Sequence, residues 1–415
     1  MHLALNFRRI DPTRGGAETY VVDLCTSLVR AGHSVDLYAE SWKEGVLPPE
    51  VRCIAVAAPG RTRRSQVWNF ARNSAAAIDP SRYDCTVGFI NTYAHDVIIP
   101  QGGVHGGSLQ ANSMRFRSPL VRRLYLLGKM LDPKHYLYRA IEHQQYAPER
   151  QARVIAVSNM VRRHVQTLHH VPRSLIHVVP NAVDVDRLKV SQPGAVRCAF
   201  RNRLGLEPTE LVGLFVGHNF ALKGLKPLLQ ALGARNRPGA RPIHLLVCGG
   251  GRAARYRRMA QALGIDQTVH FLGFHHDIRE CFVSSDFFVM PSYYDPCSLV
   301  VLEALACGLP VITTVQNGAS ELYGDGQEGY VLTSPDAQGE LIAALQHMTD
   351  DARRKTMSAR AALLGAEQSF DRHVRALIEV FEEVAASRNH HPAHGRHGSS
   401  RPHAAHSSSG NKSRR

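Results

Sequence analysis

Short apolar runs alternate with longer segments whose apolar residues recur every three or four positions along most of the chain. Runs at 2–7, 35–38 and 85–89 predict buried strands, and helical spacing separates the first two. The order of strand, glycine turn, helix and strand begins again at 211–216. This repetition is typical of α/β proteins with doubly wound parallel sheets, where ligands gather at the strand ends. The pattern therefore predicts two such units.

The segment 291–314, PSYYDPCSLVVLEALACGLPVITT, carries the most specific local signals. Ser298 is expected to cap a helix over 299–306, and Gly308 to end that helix in a left-handed conformation. The helix is apolar almost all the way round, which predicts burial, yet Glu303 lies in its middle. A carboxylate there is costly unless it faces a cleft or is held by hydrogen bonds. The alternatives are a ligand-binding glutamate and a core glutamate satisfied by backbone or arginine.

The start of this helix has the properties of a phosphate site. The N–H groups of the first turn, around Ser298 and Leu299, lack helical partners and lie at the positive end of the helix dipole. Asp295 precedes the helix, and Glu303 follows eight residues later. Asp295 can take hydroxyls of a transferred sugar and Glu303 those of a ribose. The segment therefore predicts a nucleotide-sugar site, with Asp295 next to the reacting sugar.

Two glycine-containing turns are further candidates for this site. Gly15 and Gly16 follow the first strand, and adjacent glycines let the backbone approach a ligand closely. Gly217 ends the strand at 211–216, and Lys223 stands just before the next helix. A lysine in that position can reach a diphosphate as a point charge. An ordinary turn remains the alternative for each glycine pair.

Two residues are candidates for handling the proton of an acceptor hydroxyl. His105 lies in the glycine-rich run 101–107, which predicts a flexible loop near the cleft. Asp96 lies in a polar loop between two strands and is a rival for the same role. A merely exposed histidine is an equally good interpretation of His105.

Residues 112–141 form a basic segment with seven lysines or arginines against one acid. Leucines and tyrosines alternate with these charges instead of facing one way, which favours a segment that lies in a membrane interface. The alternative is a pair of helices packed on the first domain with arginines reaching out to solvent. Nucleic-acid binding is the third option, but no zinc-finger spacing or RNP-like motif supports it, and we expect no nucleic-acid partner.

Composition bounds these interpretations. The chain has 415 residues, 44% of them hydrophobic and 20% charged, and its apolar runs are too short for a transmembrane helix. The net charge of +15 calls for a polyanionic partner, although the low-complexity tail 389–415, which we expect to be disordered, supplies part of it. Eight scattered cysteines without a C-x-x-C pair are typical of reduced thiols in a cytosolic enzyme.

The motifs together resemble the retaining glycosyltransferases of family 4, which have the GT-B fold. Asp295 and Glu303 match the family's pattern of an acid, seven residues and a glutamate, with Asp295 where glutamate is usual. The Gly15–Glu18 turn and the Pro-Asn-Ala-Val-Asp run at 180–184 match two further motifs. Lys223 also matches, whereas His218 or Asn219 stands where the family commonly has an arginine.

The resemblance implies two Rossmann-like domains facing each other across a cleft. Residues 1–183 would bind the acceptor, 184–364 the nucleotide sugar, and 365–388 would form a helix that crosses back to the N-terminal domain. No D-x-D pair lies at a strand end, so no metal or other cofactor is expected. The leaving phosphate itself would help to take the acceptor proton.

The basic segment at 112–141 narrows the resemblance to the subfamily that glucosylates the lipopolysaccharide core. That implies transfer of glucose from UDP-glucose to a glycolipid, by an enzyme bound to the anionic inner face of the cytoplasmic membrane. Two alternatives belong to other classes: a GT-B nucleotide-sugar 2-epimerase, and a non-catalytic protein that binds membrane or nucleic acid. Substituting Glu303 should abolish donor affinity only in an enzyme.

Overall fold

The structure is a computed structural model that describes residues 1–93, 95–116, 118–237, 239–275 and 277–390. The tail expected to be disordered from 389 onward lies outside the described residues from 391 to 415.

The N-terminal half contains nine strands and six α-helices in the described ranges. The strands are β1 (His2–Asn6), β2 (Arg9–Ile10), β3 (Ser34–Ala39), β4 (Ser41–Trp42), β5 (Arg52–Ala55), β6 (Cys85–Gly88), β7 (Val97–Ile98), β8 (Arg153–Ala156) and β9 (Ile176–Val178). The helices are α1 (Gly16–Arg30), α2 (Arg63–Ala77), α3 (His105–Ser113), α4 (Pro119–Met130), α5 (Pro133–Gln145) and α6 (Asn159–His169).

The C-terminal half, as far as it is described, contains six strands and nine α-helices. The strands are β10 (Leu211–Val216), β11 (Ile243–Cys248), β12 (Val269–Gly273), β13 (Phe287–Val289), β14 (Val311–Thr314) and β15 (Gly329–Leu332). The helices are α7 (Val185–Leu188), α8 (Pro193–Arg203), α9 (Leu225–Arg235), α10 (Ala254–Ala262), α11 (Ile278–Ser284), α12 (Leu299–Ala306), α13 (Gln338–His347), α14 (Asp351–Glu367) and α15 (Phe370–His390).

Two parallel sheets organise the two halves. The first has the strand order β5-β3-β1-β6-β7-β8-β9, and the second has the order β12-β11-β10-β13-β14-β15. In each sheet the first strand of its half, β1 or β10, is the third strand from one edge, and strand order reverses beside it, as in doubly wound sheets. β10 pairs in register with β11 from Leu211 opposite Ile243 onward. The predicted α/β class with two Rossmann-like units is confirmed.

Helix α12 lies inside the second unit, as its sequence predicts. Val301, Leu302, Ala304 and Leu305 are buried, and Gly308 ends the helix with a φ of 71°. α12 packs closely on α14, where a Cβ on Gly365 would lie 2.4 Å from the Cα of Ala306. The apolar circumference of the helix therefore matches its surroundings.

Two helices follow the last strand of the second sheet. α13 ends at His347, and α14 begins at Asp351 after Asp350 accepts a hydrogen bond of 3.1 Å from the Arg353 N–H. This aspartate caps the second helix and so interrupts the periodic pattern.

Helix α15 crosses back to the first sheet, which confirms the predicted crossover. The Tyr20 hydroxyl of α1 lies 2.8 Å from His373 Nε2. Further along, Arg388 donates to the Tyr83 carbonyl at 2.9 Å. Within the described residues, no helix combines the length and the apolar character needed to cross a bilayer.

Candidate functional site

A cavity of about 490 Å³ lies between the two sheets, at the edge where their strands end. Loops from both halves form its walls, so a ligand in it would contact both units. Eight of the ten site residues predicted from sequence line this cavity, namely Gly15, Gly16, Gly217, Lys223, Asp295, Ser298, Leu299 and Glu303.

Helix α12 begins at the cavity wall. Ser298 occupies the N-cap position, but its hydroxyl makes no capping hydrogen bond, so the predicted side-chain cap was wrong. Its backbone N–H instead donates to Asn317 Oδ1 at 3.3 Å. The first turn of a helix has unpaired N–H groups, and here they lie at a cavity. This arrangement suits a phosphate or another anion.

At two glycines of the cavity wall, a neighbouring side chain approaches so closely that it would have to shift to admit a Cβ. A Cβ on Gly16 would lie 3.1 Å from Leu299 Cδ1, which belongs to the opposite half. A Cβ on Gly217 would lie 3.0 Å from Lys223 Cγ. The first glycine therefore lets the start of α1 approach the start of α12 across the cleft.

Asp295 and Lys223 form an ion pair in the cavity wall. Their side chains are 11% and 21% exposed, so the pair is largely shielded from water. Lys223 is the only lysine or arginine among the described residues that line the cavity. An anion that enters must therefore compete with Asp295 for this ammonium group.

Glu303 extends into the cavity from the second turn of α12. Burial raises the pKa of its carboxyl above the usual value, while the charge of Arg187 opposes this and that of Asp23 adds to it. In the described part of the chain it forms no ion pair or side-chain hydrogen bond. The alternative of a core glutamate held by an arginine therefore does not describe it, and its role in binding ribose stays a prediction.

Asp96 lies away from the cavity, and its prediction as an acceptor base was wrong. It directly precedes β7, so it sits at the amino-terminal edge of a sheet whose carboxyl-terminal edge faces the cleft. Its carboxylate accepts from the Thr86 N–H at 2.8 Å and pairs with Arg388 at 2.5 Å. Its function is to attach α15 to the first sheet.

His105 begins helix α3, so the predicted flexible loop is regular structure from this residue onward. It lines a second cavity, of about 180 Å³, together with Tyr138 and Glu142. Its Nε2 lies 2.7 Å from His135 Nδ1, and burial is the main cause that lowers its pKa. A neutral imidazole can accept a proton, but its part in the reaction stays a prediction.

The second cavity adjoins the segment that carries Asp295. A Cβ on Gly103, which has a φ of 71°, would lie 2.1 Å from the Tyr294 hydroxyl. That hydroxyl also accepts from the Val104 N–H at 3.2 Å. Only glycine fits at this position, which is where the His105 loop meets the donor half.

One polar chain across the cleft was missed from sequence. Gln101 Nε2 donates to Asn181 Oδ1 at 2.9 Å, and Asn181 Nδ2 donates to the Cys297 carbonyl at 2.9 Å. From sequence, the Pro-Asn run at 180–184, at the junction of the two halves, is only a family motif. Its asparagine holds the junction against the segment just before α12.

Comparison with known families agrees with this geometry. The family model described as Glycosyltransferase Family 4 matches residues 14–187, and the one described as Glycosyl transferases group 1 matches residues 196–363. The chain belongs to the GT-B glycosyltransferases, with a family 4 N-terminal half.

Among individual relatives, the chain resembles the lipopolysaccharide glucosyltransferase WaaG of Escherichia coli K12. The two are 23% identical over 335 residues, which is 80% of this chain and 85% of WaaG. It is also similar to the D-inositol 3-phosphate glycosyltransferase of Xylanimonas cellulosilytica, at 26% identity over 403 residues, covering 90% and 93% of the two chains.

Solved structures confirm the GT-B fold. One match is the crystal structure of WaaG, a glycosyltransferase involved in lipopolysaccharide biosynthesis. Its TM-score is 0.75 and its identity 20%, over 91% of this chain and 99% of the WaaG chain. Sucrose-phosphate synthase from Thermosynechococcus elongatus matches with a TM-score of 0.71 and 19% identity over 93% and 99%. Anabaena HepE, in complex with UDP and glucose, matches with a TM-score of 0.65 and 20% identity over 92% and 99%.

Proposed function

We propose that the protein is a retaining hexosyltransferase that moves glucose from UDP-glucose to a hydroxyl of a membrane-associated glycolipid, such as a lipopolysaccharide core. The observation that carries this proposal is the cavity between the sheets, which brings Lys223, Asp295, Glu303 and the start of α12 together. HepE, which has the same fold, is described in complex with UDP-glucose and supports this choice of donor.

The donor half supplies the groups that such a substrate needs. Lys223 and the N–H groups at the start of α12 stabilise the diphosphate as it departs, since they are fixed before the reaction begins. Glu303 accepts hydrogen bonds from the ribose. The diphosphate draws Lys223 away from Asp295, which frees that carboxylate for hydroxyls of the transferred sugar.

The new glycosidic bond forms on the face of the sugar that the diphosphate leaves. The acceptor oxygen bonds to the anomeric carbon as the carbon–phosphate oxygen bond breaks, and the leaving phosphate takes the acceptor proton. His105, in the adjoining cavity of the N-terminal half, orients the acceptor. In this proposal residues 1–183 hold the acceptor and 184–364 the donor.

Helix α4 supports a membrane-bound acceptor. Three leucines of α4 and Leu131 directly after it, at positions spaced by four, three and four, are 56 to 84% exposed: Leu120, Leu124, Leu127 and Leu131. The sequence suggested charges and leucines mixed on all sides, but these leucines share one face of the helix. Exposed basic residues, Arg123, Lys134 and Arg139, lie in the same segment.

An apolar stripe beside basic side chains matches an anionic lipid surface, whose acyl chains and headgroups meet both features. A soluble acceptor, such as the inositol phosphate in the name of one relative, would not require this apolar stripe. The protein therefore acts as a peripheral enzyme on the inner face of the cytoplasmic membrane.

The proposal is tested by incubating the pure protein with UDP-, GDP- and ADP-glucose, with glycolipid or D-inositol 3-phosphate as acceptor. We expect glucose transfer from UDP-glucose to the glycolipid, with the α-configuration of the donor kept, and unchanged activity when a chelator is added. Conversion of the donor without an acceptor would indicate the epimerase instead. Failure to consume any nucleotide sugar would refute the enzyme assignment.

A further inference from the structure

A carboxylate of the C-terminal half caps a helix of the N-terminal half. Glu321 lies in the short 3₁₀ turn Gly318–Leu322, which follows β14. Its two oxygens accept hydrogen bonds from the backbone N–H groups of Asn159 at 2.6 Å and Met160 at 2.8 Å. These N–H groups begin α6, so Glu321 supplies from the opposite domain what a helix usually finds in its own chain segment.

The contact adjoins the donor site. Ser158, the N-cap of α6, donates its hydroxyl to the Pro296 carbonyl at 2.7 Å. Gly318 fits between these partners, because a Cβ there would lie 1.9 Å from the Pro296 carbonyl oxygen and 2.5 Å from Ser158 Oγ. The Gly318 N–H also donates to the Asp295 carbonyl at 2.8 Å. Movement of α6 away from this turn would therefore act directly on the backbone of Asp295.

The charge of Glu321 makes its hydrogen bonds to α6 stronger than the neighbouring contacts between the two halves. Glu321 is charged and faces the positive end of the α6 dipole, and charge-assisted hydrogen bonds are roughly twice as strong as neutral ones. Arg163 lies 3.7 Å from the same carboxylate, but its side chain is 60% exposed, so water screens most of its effect. The nearby contact between Val104 and Tyr294 joins uncharged groups.

We propose that Glu321 is a positioning residue that holds the two domains closed over the donor. The proposal rests on the proposed function, because closure matters for a substrate that touches both domains. Gly15 and Gly16 of the N-terminal half face Lys223 and Glu303 across the cavity. A bound donor must leave when the two halves separate. The contact between Glu321 and α6, which reforms after each opening, therefore determines how well the sugar is aligned.

The experiment compares Glu321→Ala with Glu328→Ala in the full chain. Glu328 is the matched control because its carboxylate accepts from the Gly324 N–H within its own domain, at 2.9 Å. Small-angle X-ray scattering measures the radius of gyration without ligand, and the assay with UDP-glucose measures kcat and the affinity for UDP. Circular dichroism checks that each variant is folded.

In Glu321→Ala we expect a larger radius of gyration and a kcat lower by about tenfold, with UDP affinity changed less than about twofold. Glu321→Gln keeps an acceptor oxygen without the charge, so its radius of gyration and kcat should lie between those of the wild type and Glu321→Ala. If Glu321→Ala does not fold, Glu321→Gln takes its place in the comparison with Glu328→Ala. Equal scattering and equal kcat in Glu321→Ala and Glu328→Ala would overturn the proposal. An inactive wild-type protein would instead refute the proposed function, while the scattering would still test closure.

Discussion

Glu303 lies in the second turn of a helix of aliphatic residues, where its carboxyl has the cavity on one side and packed side chains on the other. Burial raises the pKa of this carboxyl, so less acid is needed to neutralise it than in an exposed glutamate. The charged form is the better acceptor for two ribose hydroxyls. Donor binding should therefore depend on the pH in a range where most glutamates have no effect.

Glu303→Gln should lower kcat/KM for the donor by about tenfold or more at neutral pH, since a charged acceptor is lost. In the wild type kcat/KM should fall as the pH falls through the raised pKa, and this fall should be absent in the variant. The measurement is kcat/KM against pH for both proteins. Glu340→Gln is the control, because Glu340 is an exposed residue that accepts from Thr333. Parallel pH profiles in wild type and Glu303→Gln would contradict the assignment.

Lys223 carries the positive charge of the cavity wall, and its removal should do more than remove one contact. In Lys223→Met the Asp295 carboxylate loses its partner and repels the diphosphate, so donor affinity should fall by about a hundredfold. Lys226→Met is the matched control three residues later, exposed on α9. Calorimetric titration with UDP measures both. Equal affinities in the two variants would exclude Lys223 from the diphosphate site.

Lys223 could be predicted because it stands in a polar loop that leads from a strand end to a helix start, and Glu303 because it is the one charged residue of an apolar helix. Asp96 has the same local surroundings in sequence, yet it precedes its strand instead of following it. In a parallel sheet that difference moves a side chain to the opposite edge. His105 lines the second cavity, but its contact with His135 depends on folding between separate helices and leaves no local signal in the sequence.

At the scale of elements, α4 shows what packing adds to a sequence pattern. The segment was recognised as basic and apolar from composition, whereas its exposed leucine stripe depends on α4 having no buried residue. Spacing alone cannot separate a stripe that faces a core from one that faces solvent. By contrast, β10 and α12 have the bounds that the sequence predicted, because turns mark both ends.

The double substitution Leu124→Asp and Leu127→Asp should abolish binding to vesicles, because it places charges where acyl chains would lie. Flotation with vesicles that contain anionic lipid measures this, and neutral vesicles should bind the wild type more weakly. Leu363→Asp is the control, since Leu363 on α14 is 69% exposed in the other half. Loss of vesicle binding in the control as well, or binding indifferent to lipid charge, would count against α4 as the membrane surface.

At the scale of the molecule, α15 connects the two halves through a histidine, and burial determines the protonation state of that histidine. His373 on α15 lies between the Tyr20 hydroxyl, at 2.8 Å, and the Pro180 carbonyl, at 2.7 Å. A carbonyl can only accept, so Nδ1 carries the proton and Nε2 accepts from the tyrosine. The imidazole is therefore held in its neutral form. Contacts of this kind join residues far apart in sequence, which is why the sequence predicted the crossing but not its chemistry.

Burial lowers the pKa of His373 to about 4, below the roughly 6.5 of an unfolded histidine. Between these values the unfolded chain binds more protons than the folded one, so the free energy of unfolding rises with pH across this window. The stabilisation is complete above the unfolded pKa and is lost as the pH falls towards 4. It amounts to about 3 kcal/mol for this one residue.

Acid should therefore loosen the attachment of α15 well above the range in which carboxylates titrate. Urea unfolding of the wild type at pH 7.5 and pH 5 should show the loss, and His373→Gln, less stable at pH 7.5, should show a smaller difference between the two conditions. His347→Gln is the control, because His347 is exposed on α13. His95, whose pKa burial lowers to about 3, adds a similar dependence within the first sheet, so the difference in His373→Gln should shrink but not vanish. An unchanged difference in His373→Gln would mean that α15 detaches without exposing this histidine.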